Sequence, residues 1–189
     1  MRGLRAIARI TMILILALPA GAVAQTAGQP AGPPPLVITP GLGVGQWTVD
    51  GKVADYIWVM GDNQIEDVRP SGTDLVFRPQ FEERSYQSPR IFLVYLPTST
   101  TVLAVGTAEP AARTVERVGV GSTEQQLAAA YGDPQMALEL PLRTRTLVYD
   151  DRGIAFEFAF APATGQFAPA VGRVFVFRPG QARAIWRLP

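Results

Sequence analysis

The stretch that decides the fold is "GVGSTEQQLAAAYGDP", which runs from Gly119 to Pro134. Ser122 is the predicted N-cap of a helix, and Gln125, three residues later, completes the capping-box pattern. Gly132, followed shortly by a proline, is the predicted end of the helix. One helical face carries the residues that we expect in the core: Leu127, Ala130 and Tyr131, with Thr123 at its edge. The stretch therefore predicts a short helix with one buried stripe.

A fainter copy, "TVDGKVADYIWVMGD", lies upstream. Asp50 is its predicted cap and Gly61 its predicted end. The core-facing stripe comprises Val53, Tyr56, Ile57 and Met60. The two Gly-Asp pairs that follow the helices, at Gly61 and Gly132, lie 71 residues apart. This spacing predicts that one helix-plus-strand unit occurs twice, and the alternative is two unrelated units of similar type.

Each helix is followed by a β-hairpin pattern. In the second unit "RTLVY" and "IAFEFAF" are joined by "DDRG", and in the first unit "RIFLVYL" and "TVLAVGT" are joined by "PTST". In residues 154–160, Ile and Phe alternate with Ala and Glu, which predicts a half-buried strand. A third strand, "RVFVFRP", is predicted to pair with this one. Residues 63–89 are predicted to be an insertion with one short strand and polar turns.

These patterns predict an α+β fold made of two repeats, each a helix followed by an antiparallel meander. The first unit spans residues 36–107 and the second 108–189, with either separate sheets or one shared sheet or core. Residues 25–35 are a Pro/Gly-rich linker with almost no side chain that can fill a core.

The first 24 residues have the pattern of a secretory signal peptide. Three arginines precede the apolar run Ile10 to Leu18, and small residues end at Ala24, after which we predict cleavage. The alternative is an uncleaved membrane anchor, but an apolar run of about nine residues is far shorter than the roughly 20 that span a bilayer. We therefore expect a periplasmic or secreted protein with no transmembrane segment after cleavage.

Composition excludes several kinds of function. The chain has 17 Lys plus Arg and 16 Asp plus Glu, and the predicted signal removes three arginines, so the mature chain has 14 basic and 16 acidic residues. A net charge of about −2 gives no excess of positive charge of the kind that binds nucleic acid. The chain has no His and no Cys, which excludes Ser-His-Asp and Cys-His sites and removes the usual zinc ligands. We predict no cofactor and no metal site.

The remaining catalytic hypothesis is an exported carboxylate-dependent hydrolase acting on glycan or peptidoglycan. Adjacent acids occur at Glu66-Asp67, Glu82-Glu83 and Asp150-Asp151. Neighbours in a strand point to opposite faces, whereas sugar hydrolysis needs two carboxyl groups about 5 to 9 Å apart across a cleft. We therefore predict no catalytic residues and a protein that is not an enzyme.

One residue suggests a binding site. Trp58 lies off the core-facing stripe of the first helix, with Trp47 and Tyr86 predicted nearby, and exposed aromatic side chains often anchor interfaces. The alternative is that Trp58 packs against the insertion or the other unit. The favoured hypothesis is a non-catalytic, protein-binding or envelope-associated module, and the oligomeric state is left open.

Part of the chain resembles a known superfamily. The run "GVGSTEQQLAAAYGDP", followed by "LVYDDRGIAFEF" and "RVFVFRPG", is similar to the helix-then-sheet repeat of β-lactamase-inhibitor-like proteins and SmpA/OmlA outer-membrane assembly lipoproteins. The resemblance covers Gly119 to Pro179 and, more weakly, Ile38 to Thr107. It implies a fold and carries no catalytic residue. Unlike the lipoprotein members, this chain lacks a cysteine that can be lipidated.

Overall fold

A computed structural model describes residues 36–60, 65–70, 82–87, 89–98, 101–140 and 143–186, with backbone alone for 57–60, 65–70, 82, 87 and 140. The predicted signal peptide and linker lie outside the described residues. The helices are α1 (Val53–Met60), α2 (Glu124–Tyr131) and α3 (Ala182–Ile185). The strands are β1 (Ile38–Thr39), β2 (Gly43–Val44), β3 (Trp47–Thr48), β4 (Ile65–Pro70), β5 (Glu82–Gln87), β6 (Arg90–Tyr95), β7 (Val102–Thr107), β8 (Met136–Leu140), β9 (Thr144–Tyr149), β10 (Ile154–Ala161), β11 (Gln166–Phe167) and β12 (Arg173–Phe177).

Helix α2 forms where the sequence predicts it, but its cap lies one residue later. Thr123 has extended backbone, and its hydroxyl accepts a hydrogen bond from the Gln126 amide at 3.3 Å. The Gln126 side chain in turn accepts one from the Thr123 amide at 2.9 Å. The predicted cap, Ser122, instead accepts a hydrogen bond from the Gly119 amide within the preceding turn. The prediction of Ser122 and Gln125 was therefore wrong by one position, whereas Gly132 does end the helix.

Helix α1 is not capped by Asp50, contrary to the prediction. It begins at Val53, and Asp50 has φ of 70°, outside the extended region that an N-cap residue needs. Val53 and Tyr56 face the core, as expected. The Tyr56 hydroxyl also contacts Thr48, whose amide donates to it at 2.8 Å.

The main sheet contains nine antiparallel strands in the described part of the chain. Eight follow the order β4-β5-β6-β7-β12-β10-β9-β8, and β11 pairs with the end of β10. The predicted hairpins β6-β7 and β9-β10 are confirmed, as is the pairing of β12 with β10. Strands β7 and β12 pair directly, so the strands that follow α1 and those that follow α2 form one sheet.

Apolar side chains cover both faces of this sheet. On the first face, Leu127 of α2 and Val53 of α1 belong to the same cluster as Ile154 and Phe156 of β10. The second face packs against α3 and the Trp186 that follows it. Residues 154–158 are buried on both faces, Glu157 included. The prediction of a half-buried strand was therefore wrong, because the sequence pattern of β10 does not reveal the layer formed by α3.

Two parts of the sheet differ from the sequence-based prediction. The segment 63–89 contributes two strands, β4 and β5, rather than one. Strand β8, which the sequence pattern does not predict, forms the other edge of the sheet beside β9.

Strands β1, β2 and β3 form a separate small sheet before α1. No helix in the described part of the chain is both long enough and apolar enough to cross a bilayer.

Candidate functional site

The candidate site is a groove between α3 and the second face of the main sheet, here called the α3 groove. Its volume is about 380 Å³. Eight residues line it: Val49, Asp50, Leu96, Leu103, Arg178, Gln181, Ala184 and Ile185. Small-molecule and side-chain pockets typically measure about 300 to 1,000 Å³ and are mainly apolar. The groove therefore has the size and lining of a binding site.

The floor of the groove exists because strand β7 contains a bulge. Val94 pairs with Ala104 and Tyr95 pairs with Val102, which leaves Leu103 as an extra residue. Leu103 and Ala104 consequently both pack with the second-face cluster, although neighbours in a regular strand point to opposite faces. Leu103 is only partly buried there, which leaves an apolar surface at the groove floor.

Helix α3 forms the wall of the groove and is held in place from two sides. The Asp150 carboxylate accepts a hydrogen bond from the Ala182 amide at 3.0 Å, which ties the first turn of α3 to the β9-β10 turn. After the helix, the fully buried Trp186 packs edge-on against Phe177 of β12, with ring centroids 4.7 Å apart. Ile185 is thereby directed inward while Ala184 stays exposed at the groove.

An ion pair between Asp50 and Arg178 forms the rim. Both side chains are more than half exposed, at 51% and 63%. Exposed pairs of this kind contribute little to stability, about 0 to 1 kcal/mol. The backbone of Asp50 is in the left-handed region, with φ of 70°, and its amide donates to the Val102 carbonyl at 2.8 Å. Aspartate adopts this region more readily than most residues, and the hydrogen bond fixes its backbone at the rim.

The α3 groove combines an apolar floor with polar groups at its rim. It offers an apolar floor, one carboxylate, one guanidinium and the Gln181 amide. Across the described residues, no group of three or more acidic side chains is placed to hold a metal ion. Since the floor is apolar and both charges are at the rim, an apolar group can enter without desolvating either charge.

The structure places the predicted partner-binding aromatics differently. Trp47 is 3% exposed and Tyr86 is 1% exposed, and both belong to the first-face core. Tyr86 pairs with Ile91 and so shares its buried face, while in β3 Trp47 points inward and Thr48 outward. The prediction of these two residues as an open surface was therefore wrong. The side chain of Trp58 lies outside the described residues.

The predicted acidic pairs serve structural contacts where the structure describes them. Asp150 anchors α3, and Asp151 lies 4.0 Å from Arg152. Glu83 is 3% exposed and faces Arg173, which also pairs with Glu157. The side chains of Glu66, Asp67 and Glu82 lie outside the described residues.

The sequence does not predict the groove, because its lining residues come from four separate segments of the chain. The sequence pattern indicates a helix cap at Asp50 and an ordinary apolar strand position at Leu103, and neither indicates a groove. The Pro179-Gly180 turn after β12 was the one available signal that the chain reverses there, since Gly180 has φ of 78°. A single-turn helix such as α3 is too short to produce a recognisable periodic pattern.

Comparisons with known proteins assign no family. No family model matches the sequence, and no curated protein gives a significant match. Among solved structures, the uncharacterized protein YfeY from Escherichia coli is similar with a TM-score of 0.47 and 9% identity, covering 74% of this chain and 99% of that one. The DUF4309 family protein YjgB from Bacillus subtilis is similar with a TM-score of 0.44 and 17% identity, covering 71% of this chain and 84% of that one.

A cysteine-rich secretory protein from Staphylococcus aureus is similar with a TM-score of 0.41 and 13% identity, covering 74% of this chain and 47% of that one. At these TM-scores and identities, the similarities establish no family for this chain and support no functional argument.

Proposed function

We propose that this protein is a non-catalytic binding module of the bacterial periplasm or extracellular space, and that its α3 groove holds an apolar segment of a partner protein. The observation that carries this proposal is the groove itself, with an apolar floor left partly open at Leu96 and Leu103. Apolar surface of this kind gains about 25 cal/mol per Å² when a partner removes it from water.

The rim supports a peptide-like ligand. Asp50 and Arg178 stand at the mouth and Gln181 beside them, so donors and acceptors are available for polar groups that flank an inserted side chain. An apolar centre with a polar, solvated rim is the usual arrangement of a protein interface.

We further propose that the fold arose from two copies of one unit. From Val53 to Glu124, the starts of α1 and α2, is 71 residues, and from Ile65 to Met136, the starts of the next strands, is again 71. Four strands follow α1, and β8, β9, β10 and β12 follow α2, with the last strand of each set paired at the centre of the sheet. On this alignment, the extra length of the first copy lies between β4 and β5.

The export of the protein is proposed from the signal-peptide pattern of residues 1–24. The tandem unit would also fit the resemblance to the β-lactamase-inhibitor-like and SmpA/OmlA superfamily.

Site-specific photocrosslinking tests the binding proposal. A benzophenone amino acid replaces Ala184 at the groove, and in a matched variant it replaces Ala128, which is exposed on α2. With envelope and secreted fractions of the source cells, we expect a discrete crosslinked protein from position 184 and not from position 128. Excess unlabelled protein should compete for it, whereas excess Leu103→Glu protein should not.

The proposal fails if position 184 yields no crosslinked protein, or if Leu103→Glu protein competes as well as wild type. Circular dichroism of Leu103→Glu must match wild type, and the milder Leu103→Ser replaces it if it does not.

A further inference from the structure

Leu42 is an exposed apolar side chain beside the α3 groove. It is 64% exposed, and it lies in the turn between β1 and β2. Its carbonyl accepts a hydrogen bond at 2.8 Å from the amide of Val49, which lines the groove. The adjacent Gly41 approaches Pro179, the residue after Arg178, so closely that a Cβ on Gly41 would lie 3.2 Å from the proline ring. An apolar knob and an apolar groove therefore adjoin on one surface.

We propose that this surface binds a second copy of the same chain, with Leu42 of each copy inserted into the α3 groove of the other. A two-fold dimer brings the same patch of both copies together, so a patch that holds both a knob and a matching groove is complementary to itself. Each groove then receives a branched apolar side chain onto the floor formed by Leu96, Leu103 and Ile185. The dimer buries two exposed leucines at once.

The charges at the rim are also complementary to themselves. Each copy carries one carboxylate, Asp50, and one guanidinium, Arg178, side by side and more than half exposed. In a two-fold arrangement the positive group of one copy can face the negative group of the other, so the rims attract and no like charges need to meet. A partner with a single strong charge would instead compete with the ion pair already present.

The size of the contact sets the strength of the dimer. One inserted leucine side chain on each side buries far less area than the roughly 800 Å² per partner of a stable interface. We therefore expect weak, concentration-dependent association. This inference does not rest on the proposed function, but it uses the same groove, so self-association and partner binding exclude each other.

Disulfide trapping provides the first test, since the chain contains no cysteine of its own. Leu42→Cys protein is mixed under mild oxidation with Ala184→Cys protein carrying a tag of different mass. We expect a covalent heterodimer. Val115→Cys protein is the matched control, because Val115 is 81% exposed on a turn that does not line the groove. Equal crosslinking of Val115→Cys and Leu42→Cys to Ala184→Cys overturns the proposal.

Sedimentation equilibrium of the whole chain provides the second test. Leu42→Arg should raise the dimer dissociation constant about 100-fold, because two leucines are lost per dimer and each contributes about tenfold. Val115→Arg should leave it within about twofold. A wild type that stays monomeric at millimolar concentration, or an equal effect of both variants, overturns the dimer. Leu42→Arg should still capture the partner of the proposed function, so failure of one proposal is distinguishable from failure of the other.

Discussion

Replacing Arg173 with Met is expected to destabilise the protein by about 4 kcal/mol, since the guanidinium joins two buried carboxylates. Its Nε lies 2.6 Å from Glu157 Oε1, and its Nη1 lies 3.9 Å from Glu83 Oε1. Both glutamate side chains are only 4% exposed. The guanidinium also lies 5.4 Å from the ring centres of Phe92 and Phe175. The arginine therefore connects β10 and β12 with β5 and β6 across the second sheet face.

The expected loss of stability in Arg173→Met depends on which contacts remain after the substitution. Methionine preserves most of the apolar stem and its contact with the rings, but it leaves the carboxylates of Glu83 and Glu157 buried without their shared cation. Removing one partner of a buried ion pair lowers the free energy of unfolding by about 3 to 5 kcal/mol. The arginine side chain is 18% exposed, which admits some water and favours the middle of that range. For a chain of this size, the melting temperature should fall by about 10 °C.

Urea denaturation followed by circular dichroism measures this effect, with Arg178→Met as the matched control. Arg178 also pairs with one carboxylate, but both partners are more than half exposed, so its loss should cost less than about 1 kcal/mol. Adding Glu83→Gln and Glu157→Gln to Arg173→Met should restore part of the lost stability. If Arg173→Met costs no more than Arg178→Met, the buried network does not stabilise the fold and the reasoning is refuted.

Three further predictions concern local packing, capping and pH. Gly106→Ala should lower the free energy of unfolding by about 1 to 3 kcal/mol, because the added Cβ would lie 2.6 Å from the Phe175 ring. Gly172→Ala should be nearly neutral in the same urea denaturation, because the nearest atom to its Cβ is 3.8 Å away. Thr123→Ala should cost about 1 kcal/mol and Thr123→Ser only a few tenths, since serine restores the cap of α2; equal losses would contradict the capping role. Burial raises the pKa of Glu116, but the hydrogen bond from Tyr131 at 2.8 Å, further hydrogen bonds from its own backbone and from Thr114, and the charge of Arg152 together outweigh it, and the pKa lies below its ordinary value. The ionised carboxylate therefore stabilises the fold above the ordinary glutamate pKa of about 4.3, and this stabilisation is lost as the pH falls through the lower pKa of the folded state. Glu116→Gln should accordingly be less stable than wild type in urea denaturation at pH 7, and the two should become equally stable in acid.

Local patterns in the sequence were sufficient for elements whose partners are close along the chain. The hairpin of β9 and β10 was predictable because alternating apolar residues flank a turn with Asp150 and Gly153. Helix α2 was predictable from its stripe and its terminal glycine, although Ser122 and Thr123 are both good caps and the sequence did not distinguish them. Strand β8 escaped prediction because it is an edge strand with only partial burial.

The sequence by itself determined the α+β class, the hairpins and the position of α2, since these depend on interactions between near neighbours. Only the tertiary structure decided that both sets of strands join at β7 and β12, that Trp47 is buried, and that the bulge at Leu103 faces α3. The physical reason is distance along the chain. Asp50 and Arg178 are 128 residues apart, and no local preference of either residue specifies the contact that forms the rim of the groove.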